Sequence, residues 1–201
     1  MYIKKSHLII LHLFRKDVFM SKTIRQIALH IRKDYPTIYN AIKELVKENI
    51  LIIKKVGKAS VCEFSFSQKS LSLISFLDEQ ETFSKKIKNT DVLLDFKEFL
   101  DDILLVTGSY AKGKETRASD LDVVLITKDQ AFHKQKLLET VTSLMVPRVH
   151  ALVLTHNDFI KMLLDKQQNF GKEIYVNNLI YRNALRYYEL IKEARERGFR
   201  G

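Results

Sequence analysis

Two aspartates one residue apart, Asp120 and Asp122, follow a small-residue stretch that begins Gly108-Ser109. In an extended chain, residues i and i+2 point to the same face, so both carboxylates converge on one spot. Like charges on one face repel without a cation between them. Mg2+, or Mn2+ in its place, takes oxygen ligands of this kind. Upstream, a strand ending in Gly-Ser lets the backbone turn sharply and aim N–H groups and a hydroxyl at an anion. The loop joining the two halves adds Lys112, Lys114 and Arg117. An anion cradle beside a carboxylate pair is equipment for phosphate chemistry. The plainer reading, a surface turn running into a strand, leaves the doubled aspartate without a purpose.

Such a site needs a sheet beneath it. "ILLVTG" (103–108) and "DLDVVLIT" (120–127) read as short apolar strands flanking the loop, and "RVHALVLT" (148–155) as a third. "DVLLDFKEFLDD", "KQKLLETVTSLM" and "NDFIKMLLDKQ" read as helices, the last with Asn157 or Asp158 as its cap. Residues 91–201 are therefore expected to form an α/β (α+β) domain, a mixed sheet with flanking helices. It closes with an amphipathic helix whose buried face is Tyr187, Tyr188, Leu190 and Ile191. Arg182 and Arg186 near that helix could reach a nucleotide or a partner.

The pattern Gly108-Ser109-Tyr110-Ala111-Lys112-Gly113, then Ser119-Asp120-Leu121-Asp122, resembles the nucleotidyltransferase superfamily that includes DNA polymerase β. Within it, the likeness is to the minimal nucleotidyltransferases of prokaryotes. The resemblance implies that Gly108, Ser109, Lys112 and Ser119 contact a nucleoside triphosphate, and that Asp120 and Asp122 hold Mg2+ (or Mn2+) as the catalytic and metal-binding pair. Active members carry a further carboxylate on the next strand. At that position this chain has His150, with Arg148 two residues before it and no Asp or Glu in the strand. An imidazole suits general-base work or metal ligation. The alternative is a half-buried strand residue beside an incomplete catalytic set. Minimal members are often antitoxins that modify a partner toxin, so the resemblance also implies a toxin-like protein acceptor.

The rest of the chain has another character. Residues 1–66 carry 13 Lys/Arg against 5 Asp/Glu, a net of +8, whereas residues 67–201 carry a net of +2. "KSHLIILHLFRK", "TIRQIALHIRK" and "DYPTIYNAIKELVKENI" read as three helices. Ser21 or Thr23 can cap the second, and Asp34 the third, where Pro36 sits in the first turn. "NILIIKKVGKASVCEFSF" reads as a hairpin around a basic turn with Gly57. This order resembles the winged helix-turn-helix domains of prokaryotic transcription regulators. The resemblance implies binding to double-stranded DNA, with Thr37, Tyr39, Asn40 and Lys43 toward the major groove. Lys54, Lys55 and Lys58 would meet phosphates, and a homodimer would read paired half-sites. A small helical domain that binds protein or supports the rest is the competing reading. Residues 67–90 are expected to be a helical connector.

Composition limits what remains. The chain has 201 residues, of which 46% are hydrophobic and 29% charged, and Cys62 is its one cysteine. Disulfide frameworks and cysteine-based metal sites are thereby excluded. No apolar run approaches the ~20 residues of a membrane span, and "KKSHLIILHLF" lacks a small-residue cleavage site after it. A cytoplasmic location is expected. Three functions stay open: a metal-dependent nucleotidyltransferase, a DNA-binding regulator whose second domain senses nucleotide or mediates assembly, and an enzyme presented to RNA by its first domain.

Overall fold

The structure, a computed structural model, describes residues 2–57, 59–85, 87 and 90–201. The chain divides into two compact units, Met1–Leu77 with Arg200–Gly201, and Asp78–Phe199.

The first unit opens with helices α1 (Lys5–Lys16), α2 (Ile24–Ile31) and α3 (Tyr35–Lys47). A two-residue strand, β1 (Lys22–Thr23), precedes α2, and β2 (Leu51–Val56) and β3 (Ala59–Phe64) follow α3. The helix starts are set by side chains. Thr23 accepts the Gln26 N–H while Gln26 reaches back to the Thr23 N–H, a reciprocal cap worth about 1 kcal/mol. Asp34 accepts from the Thr37 N–H, and this hydrogen bond holds its carboxyl below the usual range. The strands form an antiparallel sheet of order β1-β3-β2. β1 was not foreseen, because two residues carry no periodicity. Ile10, Leu11, Phe14, Ile27, Ile38, Ile42 and Leu45 are buried, one stripe from each helix. Cys62 is buried on β3, and desolvation pushes its thiol up to about 11.

Over 68–84 the expected connector is a single helix, α4 (Gln68–Ser84), and the division between the units falls inside it.

The second unit begins with the short helix α5 (Thr90–Leu94) and a 3-10 turn, Lys97–Phe99. It continues β4 (Ile103–Thr107), α6 (Gly108–Lys112), β5 (Leu121–Thr127), α7 (Ala131–Thr142) and β6 (Val149–Thr155). The remaining elements are α8 (His156–Leu164), α9 (Phe170–Val176), β7 (Leu179–Arg182) and α10 (Ala184–Glu196). The four strands form a mixed sheet of order β6-β5-β4-β7 in which only β5 and β6 run parallel. Strand alternation sends Leu104, Val106, Leu121, Val123, Leu125 and Tyr181 into one buried cluster with Leu93, Phe99 and Leu138. Their neighbours Ile103, Leu105, Val124, Ile126 and Ile180 are equally buried on the opposite face.

Four expectations are corrected here. The helix read at 91–102 is broken because the Arg182 guanidinium donates to the carbonyls of Leu93, Leu94 and Phe99. That places Arg182 in a structural role, not a nucleotide contact. The cap of α8 is Thr155, whose hydroxyl accepts from the Asp158 N–H, not Asn157 or Asp158. Gly108, read as the end of a strand, and Ser109–Lys112, read as loop, form a helical turn.

Candidate active site

β4 ends at Thr107, and the chain turns at Gly108 into α6. Gly108 has φ +69°, and a Cβ built there would stand 1.9 Å from Asp122 Oδ2. No side chain fits. The absence of one at Gly108 is what lets the Asp122 carboxylate lie against the turn. Asp122 is the second residue of β5, registered antiparallel with Thr107 and parallel with His150. Asp120 stands exposed just before that strand. The His150 Nδ1 lies 3.5 Å from Asp122 Oδ1, so one carboxylate spans from the Gly108 turn after β4 to the imidazole on β6.

Burial pushes the Asp122 carboxyl above its usual range. His150 opposes that shift, while the negative charges of Asp120 and Glu173 add to it. Glu173 arrives from α9, more than fifty residues downstream, and pairs with Lys112 at 2.7 Å. The end of the same helix is tied to β4, because the Thr107 hydroxyl donates to the Asn177 carbonyl at 2.6 Å. α9 thus crosses the ends of the central strands. Its first residue, Phe170, lines a cleft of about 220 Å³ with Asp122, Val123, Val124, His150, Ala151 and Leu152.

Of the residues anticipated from sequence, Gly108, Asp120, Asp122 and His150 are gathered at one end of the sheet. Ser109 follows Gly108 on α6. His150 was expected as a general base or metal ligand, with a half-buried strand residue as the alternative, and its side chain is 81% exposed. Lys112 is engaged by Glu173. The Ser119 hydroxyl accepts from the Thr116 N–H at 2.9 Å, so it shapes the loop before the carboxylates. Arg186 pairs with Glu189. Phe170 and Glu173 were missed, since nothing in "FGKEIYV" marks a site until the fold brings it beside β5.

The donors suit a hard cation that keeps substrate phosphates among its ligands. Asp120 and Asp122 supply the one or two carboxylates typical of Mg2+ in such sites, and their mutual charge is what a cation would neutralise. Among the described residues no group of three or more His, Cys, Asp or Glu side chains could by itself hold a metal ion.

In the first unit, Thr37, Tyr39, Asn40 and Lys43 lie on the exposed face of α3, and Tyr39 stacks on Tyr35 at 5.9 Å between ring centroids. Lys55 is exposed on β2. Lys54 was expected to be available to phosphate but pairs with Glu63 across the hairpin at 2.5 Å. Lys58 lies outside the described residues.

The model of one family, the nucleotidyltransferase domain, matches residues 90–193. The chain belongs to that family, and transfer of a nucleoside monophosphate is its general chemistry. No curated protein and no solved structure matches the chain at a significant level. Among the described residues, no helix is long and apolar enough to cross a membrane.

Proposed function

We propose that the protein is a DNA-binding nucleotidyltransferase that moves a nucleoside monophosphate from a nucleoside triphosphate to a hydroxyl acceptor with Mg2+. One observation carries this reading: the Asp122 carboxylate, next to Asp120 on one side, seats against Gly108 and faces His150 across the β5–β6 register. Gly108, Ser109 and Lys112 bind the phosphates. Asp120 and Asp122 hold the metal, which supplies charge neutralisation at the transferring phosphorus. In-line displacement puts the acceptor hydroxyl opposite the leaving pyrophosphate, and exposed His150 is the side chain here with the chemistry to take its proton. A toxin-like protein acceptor is what the family resemblance implies.

The test is calorimetric titration with each nucleoside triphosphate plus Mg2+ or Mn2+. Wild type is compared with Asp120→Asn/Asp122→Asn. Metal-dependent binding that the double variant loses is the expected result, and equal binding by both would remove the carboxylates from the site.

For the first unit we propose a winged helix-turn-helix fold that binds double-stranded DNA as a homodimer in the cytoplasm. The order of three helices and a hairpin, the charge of +8 over residues 1–66 and the exposed polar face of α3 support this. A second reading, a regulator whose nucleotidyltransferase domain binds nucleotide without turnover, is favoured by His150 standing where active members have a carboxylate.

A further inference from the structure

The cleft beside Asp122 has two ends of different chemistry. Two registered pairs on one face of the sheet, Asp122 with His150 and Val124 with Leu152, form its floor. The first pair is polar, the second aliphatic, and Phe170 stands over them from α9. Apart from Asp122 and His150, no lining side chain can donate or accept a hydrogen bond. Phosphates have no use for the aliphatic end.

Phe170 is 36% exposed, yet the backbone on both sides of it is fixed. Before it, the Asn169 side chain accepts the Lys172 N–H and donates to the Met162 carbonyl at 2.8 Å. After it, a Cβ on Gly171 would lie 2.4 Å from the Met162 Cβ, so glycine lets α9 press directly on α8. Holding a large ring this firmly at a cleft mouth gives up little entropy when a flat partner lands on it.

We propose that Phe170, with Leu152, is the platform on which the nucleobase of the substrate stacks. This inference rests on the nucleotide-binding reading above and specifies how the base is held. Because the aliphatic end offers a π-face and apolar contacts without hydrogen-bond partners for base edges, recognition is by stacking, and the site accepts all four bases. Stacking also sets the triphosphate on the Gly108 side of Asp122, with the ribose between.

The experiment is titration of wild type, Phe170→Ala and Phe170→Trp in Mg2+, with ATP, GTP, CTP and UTP and with inorganic tripolyphosphate as the baseless probe. Phe170→Ala is expected to weaken all four nucleotides on the order of tenfold and to leave tripolyphosphate unchanged, while Phe170→Trp retains nucleotide affinity. Unchanged nucleotide affinity in Phe170→Ala would overturn the proposal and leave the cleft to the acceptor. An equal loss of nucleotide and tripolyphosphate would overturn it too, making Phe170 a prop for α9. Wild type that binds neither probe would remove the nucleotide-site reading itself, and the platform with it.

Discussion

Asp122 is held where its charge is least comfortable. Burial raises its carboxyl above the ordinary 3.8, with His150 only partly offsetting this. A carboxyl whose folded-state pKa is raised favours the fold while protonated, and that contribution is lost as pH rises from the ordinary value through the raised one. Asp122→Asn should therefore melt above wild type at neutral pH, with the gap closing as pH falls below the ordinary carboxylate range. Thermal unfolding at a series of pH values checks this, and a variant less stable than wild type at neutral pH would contradict it. The residues at the centre of this behaviour were legible in the sequence because they are local: Gly108-Ser109 and Asp120-Leu121-Asp122 need only a turn and a strand to acquire meaning. Phe170 and Glu173 were not, since their roles depend on where α9 lies.

At the scale of elements, the sheet is secured by side chains that reach backbone and charge from neighbouring helices. Lys134 on α7 donates to both Asp102 oxygens at 2.8 Å and to the Thr127 hydroxyl at 2.9 Å, with side-chain exposures of 14% for the lysine and 2% for the aspartate. Removing the cation strands a buried carboxylate, so Lys134→Met should cost about 3–5 kcal/mol in urea unfolding. A loss under ~1 kcal/mol, the range of an exposed pair, would mean that Asp102 is solvated. Gln135, one residue on, accepts from the Val153 N–H and donates to the Ala151 carbonyl, occupying the open edge of β6. Strands β4, β5 and β6 were readable as apolar runs bounded by polar turns. The helix at 91–102 was misread for a tertiary reason: its apolar spacing is helical, but Arg182, eighty-odd residues away, takes the carbonyls that would have continued it.

At the scale of the whole molecule, the basic charge is concentrated in residues 1–66. If that unit binds DNA as proposed, Lys43→Ala/Lys55→Ala should weaken binding to random duplex in a gel shift and lower the slope of log affinity against log salt by about 2. An unchanged slope would take those lysines off the phosphates. The same unit keeps its one thiol, Cys62, between Ile53 and Lys22 in the middle strand of its sheet. Sealed from water and held as the protonated thiol near neutral pH, it is inert to electrophiles and oxidants while the sheet is intact. Alkylation of this sulfur is therefore a clock for opening of the hairpin, and it runs without any engineered label.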